Sequence, residues 1–348
     1  MGLDCLRFTS GWREMMFRLF TVAAAILMTT AAGKVLADPL PSWKPGDSKS
    51  AIVEFVETVA TPGGDGYVDP SERIAVFDND GTLWSEQPAY FQIFYTLDKV
   101  KELAKADPSL VENSAAVKAA VDGNLEALMA DDHKGLLEVL AMSHSGMTTD
   151  MFKSSVADWL ETARHPETGV RYDQMIYQPM LELLSYLREN GFKTYIVSGG
   201  GIDFIRVFSQ KAYGIPPEQV VGSSIKAEFQ LDGAAANTLK LPELFFFDDK
   251  AAKPVAINHH IGRRPVFAAG NSDGDLQMLQ YATYREEDEG FALIVHHTDA
   301  DREWAYDRES DIGRLDKALD EAGEHGWTVV DMKEDWRTVF PFELADGR

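Results

Sequence analysis

The chain has almost no cysteine. Its only one, Cys5, precedes the first apolar stretch of the sequence. The remainder therefore has no structural disulfide, no thiol nucleophile and no cysteine-ligated metal, and it is indifferent to an oxidising compartment.

Positive charge is also scarce. The 348 residues carry 33 Lys and Arg against 56 Asp and Glu, which gives a formal net charge of −23. Nucleic acid is thereby disfavoured as a main partner, because a polyanion needs a basic surface. A local positive pocket for a small anion is still compatible with this balance. The hydrophobic content of 45% is ample for one or two globular domains.

A short apolar stretch near the N-terminus predicts export. Arg13 and Arg18 precede the stretch Leu19–Met28, and Val35-Leu36-Ala37 offers a small-residue cleavage site before Asp38. We expect residues 1–37 to be a signal peptide and the mature chain to begin near Asp38.

Two alternatives concern this leader. Met15 or Met16 would be an equally good start, since either leaves a shorter leader of conventional form. An uncleaved membrane anchor is less favoured, because the apolar stretch is short for spanning a bilayer. The predicted location is periplasmic or secreted, without stable membrane association after signal removal.

Residues 74–84 contain the first candidate site. Ile74–Phe77 is an apolar run typical of a buried parallel strand, and it stops at Asp78-Asn79-Asp80-Gly81-Thr82. Side chains two apart on an extended segment face the same way, so Asp78 and Asp80 can converge on one bound group. Thr82 adds a hydroxyl and an amide. An acidic turn that merely caps a strand has the same pattern, so other strand ends must supply the missing parts.

The segment 87–178 is helical in pattern. Apolar residues recur at three- and four-residue spacing near 90–106, 109–130, 133–142 and 149–163. Inserted directly after the first strand, these helices predict a small cap that excludes water from the site and selects substrates.

A second strand end follows the cap. Phe192–Val197 reads as a buried strand that ends at Ser198-Gly199-Gly200-Gly201, before a helix from Ile202. Glycine amides and a helix N-terminus favour an anion. Residues 220–241 then alternate like a β-hairpin around Asp232-Gly233.

A candidate cation and a third strand end complete the set. Lys253 opens a helix, and the strand Pro265–Ala269 ends at the acidic loop Gly270–Asp275. The acidic side chains of this loop would meet Asp78 and Asp80 if the two strands are neighbours.

Together these stretches resemble the haloacid dehalogenase superfamily of phosphohydrolases over roughly residues 70–285. Its four motifs are matched in order: Asp78, Asp80 and Thr82; Ser198; Lys253, with Lys250 as an outside alternative; and the loop Gly270–Asp275. The layout is similar to the phosphoserine-phosphatase-like branch. The resemblance implies a doubly wound, mostly parallel α/β core of Rossmann-like type in residues 38–86 and 179–348, with a helical cap in 87–178.

The resemblance also implies a mechanism. Asp78 would attack phosphorus to form an aspartyl-phosphate, and Asp80 would protonate the leaving group and then activate water. Ser198 and Lys253 would hold the phosphoryl oxygens. The implied function is a phosphomonoester hydrolase that acts on a small phosphorylated metabolite.

The implied cofactor is Mg²⁺, held by the Asp78 carboxylate, the Asp80 backbone carbonyl and the fourth motif. Asn271 stands where many relatives have Asp. An amide oxygen can bind a hard cation but brings no charge, so Asp273 could take over, and Asp275 fits the second acidic position.

Substrate contacts are less constrained. Thr82, Gly199 and Gly200 are candidate substrate-binding residues, and Glu86 stands near the glutamate that holds the amine in relatives acting on phosphoserine. The aromatic residues Trp84, Tyr90 and Phe91 would line a leaving-group pocket or belong to the core.

Two hypotheses stay open beside the phosphomonoester hydrolase. Phosphoryl transfer or mutase action would use the same aspartyl-phosphate, and a non-catalytic binder of phosphorylated ligands would keep the fold. His296-His297 is a weak candidate for metal or for the pocket rim, because neighbours on an extended chain face opposite ways. The sequence indicates no oligomeric state.

Overall fold

The structure is a computed structural model that describes residues 38–285 and 290–345. The predicted signal peptide, residues 1–37, lies outside the described residues. Within the described ranges, no helix combines the length and the apolar character needed to cross a membrane.

An eight-stranded sheet forms the centre of the molecule. Its strands are β1 (Ile74–Phe77), β2 (Lys193–Gly201), β3 (Val220–Asp232), β4 (Ala235–Phe246), β5 (Phe267–Gly270), β6 (Phe291–Thr298), β7 (Ala305–Tyr306) and β8 (Thr328–Asp331). The spatial order is β4-β3-β2-β1-β5-β6-β7, with β8 beside β6. All pairs are parallel except β3 with β4 and β6 with β7.

Helices connect the strands. They are α1 (Asp47–Ala60), α2 (Phe91–Ala106), α3 (Ser109–Asn113), α4 (Ala115–Asp122), α5 (Leu125–His144), α6 (Thr149–Thr162), α7 (Gln178–Glu189), α8 (Ile202–Tyr213), α9 (Ala252–His260), α10 (Leu276–Thr283), α11 (Lys317–His325), α12 (Met332–Asp335) and α13 (Pro341–Ala345). Two 3₁₀ turns cover Tyr172–Gln174 and Pro217–Gln219.

Strand β1 shows why the sheet is covered on both faces. All four of its side chains are buried. Ala75 and Phe77 belong to one apolar cluster, whereas Ile74 and Val76 belong to a second. Alternate residues of a strand point to opposite faces, so each face of β1 packs against its own layer. The predicted doubly wound, mostly parallel α/β fold is confirmed.

The segment between β1 and β2 is helical, as predicted, and has an apolar cluster of its own drawn from α2, α4 and α5. Helix α6 instead packs into the main core through Phe152, Val156 and Leu160. The domain boundaries at residues 87 and 178 stay a prediction.

The helix boundaries in this segment differ from the segments of apolar spacing, although the break at Gly123 is present. The pattern indicated helices near 109–130 and 133–142, but the structure has α3, α4 and a single α5 through residues 125–144. Local caps set these boundaries. The side chain of Ser114 accepts a hydrogen bond from the Val117 amide, and that of Asn124 accepts one from the Ala127 amide, so new helices begin after each.

The predicted hairpin is present and is tied to the helical segment. β3 and β4 pair antiparallel around Gly233, whose φ is 58°. The Lys240 amide donates to the Met147 carbonyl at 3.0 Å, and the Gly146 amide donates to the Lys240 carbonyl at 2.9 Å. β4 therefore continues its pairing onto the loop before α6.

Candidate active site

Three neighbouring strands end at one place. β1 lies between β2 and β5, with Phe77 opposite Ile196 on one side and Ala269 on the other. Asp78 follows β1, Ser198 lies near the end of β2, and Asn271 follows β5. The chain runs from β1 to β2 and β3 on one side of β1 and later returns to β5 and β6 on the other, and open α/β sheets bind ligands where the strand order reverses in this way.

Lys253 joins two of the predicted acidic residues. Its Nζ donates to Oδ1 of Asp78 at 2.8 Å and to Oδ1 of Asp275 at 2.5 Å, and its residue is 2% exposed. Burial alone would lower the pKa of Lys253, but Asp275 and Asp78 together raise it above its ordinary value. The lysine is therefore a fixed buried cation.

Asp275 also orders its own loop. It is fully buried, and its Oδ2 accepts hydrogen bonds from the amides of Asn271 and Ser272 at 3.0 and 3.1 Å. One carboxylate thus fixes the turn after β5 and the position of Lys253 at the same time.

Asp78 and Asp80 are the two carboxylates of the first motif. Burial raises the pKa of Asp78, repulsion from Asp275 adds to this, and Lys253 opposes it. Burial likewise raises the pKa of Asp80, and a hydrogen bond from Trp84 opposes it. A carboxyl group whose pKa is raised keeps its proton to a higher pH than usual, which suits Asp80 to proton transfer.

Trp84 is part of the core and positions Asp80. Its Nε1 donates to Oδ1 of Asp80 at 2.8 Å, and its ring stacks on Phe208 with centroids 4.5 Å apart. Trp84 is 1% exposed. Of the two interpretations offered by the sequence, core and leaving-group pocket, the structure places it in the core.

The glycine-rich loop is held from several sides. The Gly200 amide donates to Oγ of Ser198 at 3.0 Å, and Ser223 Oγ donates to the Gly199 carbonyl at 2.8 Å. The Gly201 amide donates to Oε1 of Gln92, a residue of α2, at 2.7 Å. A predicted phosphate-binding loop is thereby contacted by the helical segment.

Glu86, Asn271 and Thr82 form one hydrogen-bonded row. Thr82 Oγ1 donates to Oδ1 of Asn271 at 3.0 Å, and Nδ2 of Asn271 donates to Oε1 of Glu86 at 2.6 Å. Tyr306 OH donates to the same Glu86 oxygen at 2.8 Å. Glu86 is 1% exposed, and burial raises its pKa well above the ordinary range. The structure places it against the fourth motif, although the sequence predicted a substrate contact.

Asp273 points elsewhere. Its Oδ1 accepts hydrogen bonds from the amides of Asp316 and Ala318, both at 3.0 Å, which caps the N-terminus of α11. The sequence predicted Asp273 as a possible metal ligand. In the structure it serves as a helix cap supplied by another loop.

The donor chemistry of the site fits Mg²⁺. Asp78, Glu86 and Asp275 are buried and Asp80 is half-buried, while Lys253 is the only cation that contacts any of them among the described residues. Burial raises the pKa values of Asp78, Asp80 and Glu86, and a cation at the site would offset the cost of ionising them; all the donors are oxygens. Across the described ranges, no three His, Cys, Asp or Glu side chains already surround one point. Amide, carbonyl and water oxygens would therefore complete the coordination, as is usual for Mg²⁺.

A chain of hydrogen bonds continues from the glycine loop into the helical segment. Gln92 Nε2 lies 2.8 Å from Nε2 of His144, and Nδ1 of His144 lies 2.7 Å from Oγ of Ser143. Because Gln92 uses its oxygen on Gly201, it donates to His144, whose proton is then on Nδ1. No local pattern of the sequence indicated Gln92.

Tyr306 escaped sequence analysis as a site neighbour, whereas His297 was a candidate for metal or for the pocket rim. His297 is buried, with Nε2 at 2.8 Å from the Gly81 carbonyl and Nδ1 at 3.0 Å from Glu303 Oε2. Its ring stacks on Tyr306 with centroids 4.3 Å apart. His296 faces the other way, toward Asp307, as expected for neighbours on a strand.

Comparisons with known proteins agree with this geometry. A family model described as haloacid dehalogenase-like hydrolase matches residues 75–280, more than half of the chain. No curated protein matches.

Solved structures are similar at low identity. A protein of unknown function from Anaerococcus prevotii is 17% identical, covers 81% of this chain and 91% of its own, and has a TM-score of 0.49. A protein of unknown function from Bordetella pertussis is 13% identical, with 75% and 99% covered and a TM-score of 0.47. A probable phosphoserine phosphatase from Vibrio cholerae is 14% identical, with 86% and 72% covered and a TM-score of 0.40.

The family match contains the strand end with Asp78 and Asp80, the glycine loop after Ser198, Lys253 and the loop with Asn271 and Asp275. These are the residues that the fold brings to neighbouring strand ends. The chain belongs to the haloacid dehalogenase-like hydrolase family.

Proposed function

We propose that the protein is a Mg²⁺-dependent phosphomonoester hydrolase that acts on a small phosphorylated metabolite through an aspartyl-phosphate on Asp78. One observation carries the proposal. A buried lysine, Lys253, holds Asp78 and Asp275 together beside Asp80, at the ends of adjacent parallel strands. This is a carboxylate nucleophile with a fixed cation at its side.

The first half-reaction follows from the hydrogen bonds. Lys253 occupies Oδ1 of Asp78, so Oδ2 attacks phosphorus while the bond from phosphorus to the leaving oxygen breaks. Asp80, whose pKa burial raises, gives its proton to that leaving oxygen. Trp84 keeps Asp80 in place for this transfer. The Ser198 hydroxyl and Lys253 would hold the phosphoryl oxygens.

The second half-reaction reverses the proton's path. Asp80 takes a proton from water, the water oxygen attacks phosphorus, and the bond between Asp78 and phosphorus breaks to release phosphate. Asp78, the Asp80 carbonyl, Asn271 and Asp275 would hold Mg²⁺. The cation would supply positive charge that offsets repulsion between an anionic nucleophile and an anionic substrate.

The same proposal includes export. The basic and apolar pattern of residues 1–37 supports cleavage near Asp38 and a periplasmic or secreted location. The N-terminal residue and mass of the protein recovered from a cell fraction outside the cytoplasm test this part. A full-length chain retained in the cytoplasm would contradict it.

The test is phosphate release from p-nitrophenyl phosphate and a panel of phosphomonoesters, with Mg²⁺ and with EDTA. We expect turnover that needs Mg²⁺ and disappears in Asp78→Asn. Acid quenching during turnover, followed by peptide mass spectrometry, should recover one phosphoryl group on the peptide containing Asp78. Asp301→Asn is the matched control, because the Asp301 side chain is 80% exposed.

The outcomes separate the alternatives. A phosphorylated Asp78 whose phosphoryl group passes to an added alcohol or sugar phosphate rather than to water would favour a transferase or mutase. Binding of phosphate esters without release in Mg²⁺, Mn²⁺ or Co²⁺ would favour a non-catalytic binder.

A further inference from the structure

The loop that follows Asp80 is held by a histidine from a distant part of the chain. The carbonyl of Gly81 lies 2.8 Å from Nε2 of His297, a residue of β6. A carbonyl oxygen can only accept, so Nε2 carries a proton and donates it. Both residues are buried, and β6 lies beyond the residues that the family model matches. The contact is therefore additional to the four motifs of the family.

Glu303 fixes the ring of His297 in this orientation. Its Oε2 lies 3.0 Å from Nδ1 of His297, and one proton is held between the two atoms, because two lone pairs would repel at this distance. The same carboxylate accepts hydrogen bonds from the Tyr177 hydroxyl at 2.7 Å and from the Trp304 amide at 2.9 Å. The ring also stacks on Tyr306. Contacts at both nitrogens and on one face leave the imidazole little freedom to turn.

Gly81 joins two peptide planes of the tight turn after Asp80. Its amide donates to the Trp84 carbonyl at 2.8 Å, which sets the first plane and with it the direction of the Asp80 carbonyl. Its own carbonyl accepts from His297, which helps to set the second plane. The φ of Gly81 is 73°, and glycine can leave this conformation at little steric cost. Without His297 the buried carbonyl would lose this donor and the peptide would rotate toward another, so Asp80 would shift with it.

We propose that His297 and Glu303 are positioning residues that hold Asp80 in place for proton transfer to the leaving oxygen. His297 acts on the Gly81 carbonyl, and Glu303 acts on the ring of His297. Trp84 fixes the side chain of Asp80, whereas this pair fixes the backbone behind it. The inference rests on the proposed function, because it concerns the proton that Asp80 transfers.

This role implies a dependence on the leaving group. Phenol is a much weaker acid than p-nitrophenol, so it leaves phosphorus with more need of a proton from Asp80. A displaced Asp80 should therefore slow the hydrolysis of phenyl phosphate more than that of p-nitrophenyl phosphate. A lower fraction of folded protein would slow both equally. The two esters differ by one nitro group, so kcat/KM for each compares the same pocket.

Two replacements of His297 separate its contact with Gly81 from its contact with Glu303. Gln reaches about as far as Nε2 and keeps a donor for the carbonyl, whereas Asn reaches only about as far as Nδ1. Both lose the stacking on Tyr306. We expect kcat/KM of His297→Asn to fall about 10²-fold on phenyl phosphate and about tenfold on p-nitrophenyl phosphate. His297→Gln should stay within about fivefold of wild type on both esters.

A control and a second variant complete the test. His296→Gln changes the neighbouring histidine of β6, which faces Asp307, and both kcat/KM values should equal those of wild type. Glu303→Gln keeps the ring of His297 but removes the carboxylate that orients it. We expect a loss of about fivefold on phenyl phosphate and a smaller one on p-nitrophenyl phosphate. This variant decides the question if neither replacement of His297 folds.

Two results would overturn the inference and leave the proposed function intact. One is an equal loss in His297→Asn and His297→Gln, and the other is a loss that is the same for the two esters, since a purely structural role gives both. A wild-type protein that releases phosphate from neither ester would remove the proposed function and this inference together, and the same assay identifies that case.

Discussion

Two buried polar clusters meet at the glycine loop, and they are built on different principles. The nucleophile pocket comprises Asp78, Asp80, Asp275 and Lys253. The cap junction comprises Gln92, His144, Asp203 and Lys240, and it contacts the same loop at Gly201. The pocket has more carboxylates than cations, whereas the junction pairs its single cation with its single carboxylate.

The polar side chains of the cap junction pair with one another. Lys240 is 3% exposed, its Nζ donates to Asp203 Oδ2, and it lies 4.8 Å from the centre of the Phe152 ring. Burial, reinforced by Lys240, lowers the pKa of His144 to about 3, so the imidazole is neutral. Balanced polar groups of this kind join two parts of a fold, while an unbalanced buried charge indicates a place for a ligand.

Replacing Lys253 should show the largest difference between the two clusters, as a loss of kcat. Lys253→Met leaves Asp78 and Asp275 without their shared cation, and removal of one preorganised charge at a phosphoryl site costs roughly 10³-fold in kcat. Steady-state phosphate release measures this change. A loss below about tenfold would mean that Lys253 is a structural ion pair only.

Replacing Lys240 should give the opposite pattern. Lys240→Met strands a mostly buried Asp203, whose side chain is 19% exposed, and we expect a loss of about 3 kcal/mol in the free energy of unfolding. The kcat should stay within about threefold of wild type. Urea denaturation measures the stability, and adding Asp203→Asn should restore most of it. A large fall in kcat at unchanged stability would indicate that Lys240 belongs to the substrate site.

The junction should also show a pH dependence opposite in sign to that of the pocket, where burial raises the pKa values of Asp78 and Asp80 and stability is lost as the pH rises. The folded pKa of His144, about 3, lies below its ordinary 6.5, so the unfolded chain binds the proton first as the pH falls. The contribution is complete above about pH 6.5 and is lost toward pH 3. Between about pH 7.5 and pH 5 it should cost about 2 kcal/mol.

His144→Gln isolates this contribution. Glutamine keeps an acceptor for Gln92 but does not titrate in this range. From pH 7.5 to pH 5, the free energy of unfolding in urea should therefore fall by about 2 kcal/mol more in the wild type than in the variant. Equal slopes for the two proteins would show that His144 binds its proton at the same pH in the folded and unfolded chain, which would contradict a pKa lowered by burial.

The contrast explains what the sequence could predict. The pocket is assembled from short local patterns, an apolar strand followed by a polar turn, and the rules of parallel sheets bring such strand ends together. Strand-end patterns indicated Asp78, Asp80 and Ser198 for that reason, whereas the resemblance to the haloacid dehalogenase superfamily implied the roles of Lys253 and Asp275. The arrangement needs no knowledge of individual long-range contacts.

The supporting contacts could not be predicted in this way. Tyr306 reaches Glu86 across 220 residues, and Gln92 reaches Gly201 across 109. No local pattern encodes such pairs, because they depend on how loops and helices pack. The direction in which a loop side chain points is equally hard to predict. Asp273 is the example, because the sequence of an acidic loop at a strand end does not indicate which carboxylate points away from the site.

Asp273→Asn should therefore have the smallest effect, and it falls on stability rather than on metal. The Asp273 carboxylate caps α11 through the amides of Asp316 and Ala318, and asparagine keeps an acceptor oxygen there, so the free energy of unfolding should fall by less than about 1 kcal/mol. Isothermal titration should give wild-type Mg²⁺ affinity, whereas Asp275→Asn, two residues on, should weaken it severely. If Asp273→Asn weakened Mg²⁺ binding about tenfold at unchanged stability, the loop would have to turn Asp273 inward when the cation binds, and the acidic pattern read from the sequence would outweigh the helix cap.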